Sequence, residues 1–271
     1  MEVDKNDSYR YWMDIGLRLR KENYSLIDDD FQELDRILKE EWFGHFVLHI
    51  LDYQKSFPKF LFYTLIDKLV ESRDKRYIYP CIRVFGGKTT NKRILELVRN
   101  SNGRKKCDAL FVLYYCVDEK YRWNKETDSY ETDYSHLTEV GNDTSKMHDR
   151  GRYIIDVTLG KKFYVSNESF IFDRYDFLLN QLLDQKNNLI IKYHIKLLLP
   201  NNLGAYPEEL MNKANDALKL IKKLNIPDDS IGLERRIKGN IELEEFAYEE
   251  LNWKRTPKNN LFSLLKGILK K

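Results

Sequence analysis

The sequence has few residues that form turns. Only 12 glycines and 6 prolines occur among 271 residues, well below the usual share of these residues in globular proteins. Sandwiches and barrels of many short strands need frequent turns, so this composition argues against them. Hydrophobic residues make up 42% and charged residues 33% of the chain, which is typical of a folded protein with a highly charged surface. We therefore expect long helices with short connections.

Cysteines and long apolar runs are also scarce. The three cysteines are Cys81, Cys107 and Cys116, which are too few for a disulfide framework and include no C-x-x-C pair of a zinc or redox site. No stretch approaches the ~18 apolar residues of a membrane-spanning helix. The first residues are acidic and polar, unlike a secretory signal. We therefore expect a cytoplasmic protein with reduced cysteines and no membrane span.

Apolar residues recur at helical spacing in successive segments of the first half. Each segment has the length of a helix and carries one apolar face. Pairs of segments begin near Asp28, Lys59 and Thr90, an interval of about 31 residues that is typical of stacked two-helix repeats. The apolar faces are formed by Phe31, Leu34, Ile37 and Leu38; by Trp42, Phe43, Phe46, Val47, Ile50 and Leu51; by Phe62, Leu65, Ile66, Leu69 and Val70; and by Ile94, Leu95, Val98, Cys107, Leu110, Phe111, Tyr114 and Tyr115.

Residues 26–118 resemble the HEAT-like repeat family of α-solenoids. The resemblance rests on the paired amphipathic helices, the Asn102-Gly103 turn and the basic start of the next helix, Arg104 to Leu110. It implies an α-solenoid that binds another protein as a scaffold, an adaptor or a toxin-neutralising immunity protein. Some HEAT-like DNA glycosylases bind duplexes in a basic groove, so the resemblance also leaves nucleic-acid binding open. The many Lys, Asn, Tyr and Ile residues suit an AT-rich bacterial genome.

The middle of the chain departs from the helical pattern. Residues 119–165 form a polar connection, and its segment 153–165 has the alternating apolar composition of strands around a Gly160-Lys161 turn. Helical spacing returns after residue 170. We therefore predict a mostly α fold, an α-solenoid of stacked helix pairs with a polar insertion and one small β-hairpin. Its parts are N-terminal helical repeats (1–118), the polar connection (119–165) and C-terminal helical repeats (166–271).

One short motif is similar to part of a phosphate-binding loop. Gly87-Lys88-Thr89 matches the end of that loop, but the glycine required five residues before Gly87 is replaced by Ile82. The interpretation we favour is a helix that ends at Gly86-Gly87, followed by a helix with a threonine cap.

Histidines provide no convincing catalytic or metal site. His45 and His49 have the spacing of two ligands on one helix face, but no third ligand accompanies them, so we interpret them as flanking residues. His194 falls in an apolar helix and is expected to be a hydrogen-bonded core residue. The chain also has no G-x-S-x-G nucleophile motif. We therefore predict a protein that is not an enzyme and has no cofactor.

One segment is strongly basic. The chain has 46 basic and 43 acidic residues, yet residues 61–126 hold 15 and 8, and the flanking segments are net acidic. Such a segment can be a solvated face, or a ridge that binds an acidic protein or phosphates. Tyr114, Tyr115, Tyr121 and Trp123 follow it, and rings beside cations suit single-stranded nucleic acid. We expect an acidic protein partner, with nucleic acid as the alternative. The candidate binding residues are Lys88, Lys92, Arg93, Arg99, Arg104, Lys105 and Lys106.

Overall fold

The computed structural model describes residues 26–39, 44–127, 129–140, 151–156 and 160–247. Trp42 and Phe43, which belong to the broad apolar stripe, lie outside these ranges. Helices dominate the described residues, as the composition predicts. Those before the middle of the chain are α1 (Asp28–Lys39), α2 (Gly44–Leu51), α3 (Lys59–Ser72), α4 (Ile78–Asn100) and α5 (Gly103–Leu113), with one 3₁₀ turn at Lys75–Tyr77.

The N-terminal helices bury the faces that their apolar spacing predicts. α1 begins at three aspartates, whose negative charge suits the positive end of a helix dipole. Phe46 and Ile50 in α2 are 4% and 3% exposed, so the prediction that they are core residues is confirmed. Pro58 stands immediately before α3, and α5 begins at Gly103 directly after Asn102, where the turn was expected.

Two small antiparallel sheets occupy the middle of the chain. Strands β1 (Tyr121–Asn124) and β2 (Ser129–Thr132) form a hairpin, whereas β3 (Thr138–Glu139), β4 (Gly151–Asp156) and β5 (Lys161–Ser166) form a sheet in the order β3-β5-β4. The strands expected within 153–165 are confirmed. The expected single hairpin was too simple, because β3 pairs with the free edge of β5 and a second hairpin precedes it.

The polar connection is closed at its base by hydrogen bonds. The amide of Asp118 donates to Asn167 Oδ1 (3.2 Å), and the Ser169 hydroxyl donates to the Asp118 carboxylate (2.6 Å). The chain therefore leaves the helices at Asp118 and returns at Asn167. This closure allows the helices on either side of the connection to pack against one another.

The remaining described residues form helices that pack on the first set. They are α6 (Ile171–Leu183), α7 (Leu189–Lys196), α8 (Met211–Leu224), α9 (Ser230–Ile237) and α10 (Ile241–Glu245), with 3₁₀ turns at Leu203–Ala205 and Glu208–Leu210. α3 packs against α1, α4 and α5; α6 packs against α4, α7 and α8; and α5 packs against α7. One continuous hydrophobic cluster consequently extends from Phe31 to Ala247.

Two adjacent glycines break α4 and let it approach the polar connection. Gly86 has φ 80° and ψ 156°, a conformation that side chains disfavour. A Cβ on Gly87 would lie 2.5 Å from the carbonyl oxygen of Val117. The segment before the glycines is helical, as our interpretation of the motif required. The expected threonine cap is wrong, because the helix resumes at Gly87 and the Thr90 hydroxyl donates to the Gly86 carbonyl (3.0 Å).

Buried cations of one helix satisfy carbonyls at the C-terminal ends of others. The guanidinium of Arg83 in α4 donates to the carbonyls of Leu51 and Gln54 at the end of α2 (2.5 and 2.9 Å). Lys192 Nζ in α7 donates to the Leu182 carbonyl at the end of α6 (2.5 Å). The last carbonyls of a helix lack partners within it and carry its negative dipole, so cations stabilise that end.

The same arrangement recurs at two further helix ends. The guanidinium of Arg174 in α6 donates to the carbonyls of Leu113 and Cys116 at the end of α5 (3.0 and 3.1 Å). Lys196 Nζ in α7 donates to the Ile226 carbonyl (2.6 Å), which follows the end of α8. Four of the 46 basic residues therefore hold helix ends inside the helical framework.

Candidate functional site

Three of the seven candidate basic residues share one exposed face of α4. Lys88, Lys92 and Arg99 lie within a narrow arc of the helix because they are separated by four and seven residues. Each side chain is exposed, and within the described part of the chain no carboxylate lies within 4.0 Å of any of them. These three charges are available to a partner.

Two of the other candidates are engaged in ion pairs. Arg93 lies 3.8 Å from Asp67 and 3.6 Å from Glu96, and its guanidinium stacks over the Tyr63 ring of α3. Arg104 lies 3.3 Å from Asp108. Arg93 thus fastens α4 to α3, which leaves less of its charge for binding.

Lys105 and Lys106 are neighbours with opposite environments. Lys105 is exposed on α5, as expected. Lys106 is only 7% exposed, and its ammonium donates to Asn187 Oδ1 (3.0 Å). Burial lowers the pKa of Lys106, although nearby Asp184 opposes this effect. Lys106, a candidate binding residue, therefore does not present its charge to water, because α5 turns this side chain toward the loop that follows α6.

The exposed face of α4 forms one wall of a groove, and α6 forms the other. The two helices run side by side in the same direction. The second half of α4 and the start of α6 both adjoin Asp118, whereas further along Arg99 Cζ lies 5.3 Å from the centre of the Phe177 ring. The volume between them is about 450 Å³, within the usual range of ligand pockets.

Asn91, one of the residues that line the groove, has a buried polar atom without a partner among the described residues. Its side chain is 2% exposed, and its Oδ1 accepts no hydrogen bond from any described residue. Leu95, Phe170 and Phe177 provide apolar lining of the same groove. An unsatisfied buried acceptor is unfavourable, and native proteins contain few of them.

The α6 wall carries negative charge. Asp173 is exposed and has no cation within 4.0 Å among the described residues. Asp176 also lines the groove, pairs with Lys213 of α8 and accepts a hydrogen bond from Asn180 (3.2 Å). The α4 wall of the groove therefore carries three cations and the carboxylate of Glu96, and the α6 wall carries two carboxylates.

The aromatic residues that follow the basic segment do not line this groove. Tyr114 and Phe111 are 55% and 39% exposed on α5, so the expectation that they face inward was wrong. Arg73 and Lys75 lie over the rings of Phe111 and Tyr115. Trp123 instead packs against Tyr130 within the first hairpin, at 4.9 Å between ring centres. The rings that follow the basic segment therefore lie apart from Lys88, Lys92 and Arg99, whose groove contains Phe170 and Phe177 instead.

A charged cluster lies beside these rings. Arg73 and Arg104 both pair with Asp108, which is 3% exposed. His194 of α7 is half-buried near this cluster; burial and the positive charge of Arg73 lower its pKa to about 4, while Asp108 opposes them. The expected hydrogen bond of His194 is not found among the described residues. The neutral ring contacts Tyr193 instead, at 5.4 Å between centres.

The described residues include no group of three or more His, Cys, Asp or Glu side chains arranged to hold a metal ion. Their three cysteines are buried and free, and burial raises the pKa of Cys81 well above its usual value. None of the helices in these ranges has the length and hydropathy of a membrane-spanning segment.

The groove could be recognised only after folding. Its α4 residues recur at helical spacing, which is a usable signal, but its α6 residues lie beyond the polar connection and nothing in the sequence pairs the two helices.

Comparison with known proteins found no match among protein-family models, curated proteins or solved structures.

Proposed function

We propose that the chain is a non-enzymatic α-solenoid that binds an acidic protein, in the manner of a scaffold, an adaptor or a bacterial toxin-immunity protein. The succession of helix contacts supports the solenoid interpretation. Thr64 of α3 donates to Asp35 of α1 (2.5 Å), and Arg93 of α4 stacks over Tyr63 of α3. Arg99 of α4 then contacts α6, and α6 contacts α8 through the ion pair of Asp176. These contacts link α1, α3, the second half of α4, α6 and α8 one after another, as stacked repeats require.

The observation that carries the proposed binding function is the set of unpaired cations at the groove. Lys88, Lys92 and Arg99 are exposed and have no carboxylate partner among the described residues, although Glu96, Asp173 and Asp176 line the same groove. An acidic partner would gain association rate from such a patch, and salt would weaken the gain.

Nucleic acid is the alternative ligand for the same cations. Its phosphates would also meet the carboxylates of Asp173 and Asp176 on the opposite wall. The rings that follow the basic segment do not line the groove, where Phe170 and Phe177 stand instead. A protein can place a cation or an N–H group against the two carboxylates, and this favours a protein partner.

The test compares the protein with a variant in which Lys88, Lys92 and Arg99 are replaced by glutamate. A partner captured from the source organism's lysate is identified by mass spectrometry, and its association rate is then measured at low and physiological salt. We expect the variant to slow association by about tenfold or more at low salt. An unchanged rate would contradict the proposal.

A matched control carries the same charge change away from the groove, at the exposed lysines Lys55, Lys120 and Lys186. It should bind the partner almost as the original protein does. Fluorescence polarisation with duplex and single-stranded DNA tests the alternative. Tight, steeply salt-dependent DNA binding that the groove variant alone abolishes would replace the protein-binding proposal with nucleic-acid binding.

A further inference from the structure

We propose that the groove between α4 and α6 binds an extended segment of the partner through its main chain, with an acidic side chain of that segment on Lys92 and Arg99. This inference rests on the proposed function and specifies how the partner is held. Within it, Asn91 accepts a hydrogen bond from a main-chain N–H of the segment.

Asn91 supplies the first argument. Asn91 lines the groove, its side chain is 2% exposed, and its Oδ1 has no donor among the described residues. A ligand that brings an N–H group to this oxygen removes an unfavourable feature of the free protein. A polypeptide carries such a donor at every residue except proline.

The charges of the two walls supply the second argument. On α4, Lys92 is exposed, and Arg99 is held over the Phe177 ring with no carboxylate within 4.0 Å in the described ranges. On α6, Asp173 has no cation partner among the described residues, so a basic or amide group can meet it. A peptide can place a carboxylate toward α4 and a positive or N–H group toward α6. The phosphate backbone of a nucleic acid offers only the first of these, because its N–H donors lie on the bases.

The shape of the groove supplies the third argument. A volume of about 450 Å³ matches pockets that hold drug-sized ligands, and therefore a few residues of extended peptide. Leu95, Phe170 and Phe177 provide an apolar surface for one side chain of such a segment. Main-chain hydrogen bonding together with a few side-chain pockets is a common mode of peptide recognition.

The experiment begins with phage-displayed random peptides of about 12 residues selected on the full chain. Enriched peptides are synthesised with a fluorescent label, and their affinities are measured by fluorescence polarisation. We expect enriched peptides to share an acidic position, and Lys92→Glu to weaken their binding by about tenfold. Lys105→Glu, an exposed lysine outside the groove, is the control and should change affinity little.

The role of Asn91 is tested by methylating the main-chain nitrogens of a bound peptide one at a time. At one position, N-methylation should weaken binding to the original protein by about tenfold or more. The same methylated peptide should show no comparable loss of affinity for Asn91→Ala, because that variant already lacks the acceptor. Combining the two changes isolates the interaction between Asn91 and that main-chain nitrogen. Circular dichroism shows that each variant is folded. Equal effects of every N-methyl group on both proteins would overturn the assignment of Asn91.

The outcomes separate this inference from the proposed function. If no acidic peptide is enriched, or if Lys92→Glu leaves peptide affinity unchanged, the peptide groove is wrong. The protein-binding proposal still stands if a partner from the lysate loses association rate with the triple groove variant. If that partner also binds the triple variant at the original rate, both are wrong.

Discussion

Replacement of Arg174 by methionine tests whether a buried cation is needed at the end of α5. The side chain is 6% exposed, and its guanidinium donates to the carbonyls of Leu113 and Cys116. Methionine retains an apolar stem but cannot donate a hydrogen bond. A hydrogen bond from a charged donor contributes about 1.5–3 kcal/mol to stability, and a buried acceptor left without a donor costs a similar amount.

Two effects reduce the expected loss. The Leu113 carbonyl keeps the amide of Cys116 as a donor (3.1 Å). Burial of the guanidinium is itself unfavourable, and it lowers the pKa of Arg174. We therefore expect Arg174→Met to reduce the free energy of unfolding by about 2–3 kcal/mol. For a chain of this size, the melting temperature should fall by roughly 4–12 °C.

Urea unfolding followed by far-ultraviolet circular dichroism measures the loss. Arg235→Met is the matched control, because Arg235 is exposed on α9, and should change stability by less than about 0.5 kcal/mol. Arg174→Lys keeps the charge but has a single donor nitrogen, so its loss of stability should lie between those of Arg174→Met and Arg235→Met. A loss below about 1 kcal/mol for Arg174→Met would refute the idea that this cation stabilises the helix end.

Three further predictions concern single positions. Phe46→Ala should lower the free energy of unfolding by about 3–5 kcal/mol in urea, because its side chain is 4% exposed; a loss below about 1 kcal/mol would contradict its core position. Gly87→Ala should lower the melting temperature far more than Gly204→Ala, because a Cβ would meet Val117 at 2.5 Å but the nearest atom to Gly204 at 3.5 Å; similar losses would disprove the close packing. The pKa of His194 is about 4 in the folded protein, against 6.5 for an unperturbed histidine. Between these two pH values the unfolded chain therefore binds more protons at His194 than the folded protein does. Stability should fall as the pH decreases from about 6.5 to about 4. The free energy of unfolding is measured in urea at about pH 7 and about pH 5. Between these pH values it should decrease less for His194→Gln than for the original protein, and equal decreases would contradict the prediction.

Most helices could be predicted from the sequence because apolar periodicity is a local property. The stripe through Phe46 and Ile50 identified α2, and the stripe from Phe62 to Val70 identified α3. The strands β4 and β5 were found in the same way, from apolar residues around a glycine turn. In each case the signal lies within a few consecutive turns or residues of the chain.

Side-chain exposure was predicted less well where a helix has a wide apolar face. Phe111 and Tyr114 continue the stripe of α5, yet the partners of that helix cover only part of it. Periodicity indicates which residues share a face, but packing of other helices decides how much of the face is buried. The boundary near Gly86 was inexact for a related reason, since the approach of Val117 requires a glycine at position 87, and Gly86 has a positive φ.

The fate of the basic residues also depended on tertiary contacts. Lys106 and Lys105 are adjacent in sequence, yet one is buried and the other exposed. Arg174 and Lys192 gave no sign in the sequence that they would meet the ends of other helices. The carbonyls that receive them belong to distant segments, so no local pattern identifies them.

The sequence by itself determined the helical class, the position of the polar connection and the basic face of α4, because each follows from composition or from spacing within one segment. Only the tertiary structure decided that this face borders a groove. Lys92 and Arg99 line the groove together with Asp173 and Phe177, which follow the polar connection in the sequence. Asp118 closes that connection at its base. This arrangement depends on the packing of two helices far apart in the chain, and packing of this kind is set by shape and buried surface rather than by any local pattern.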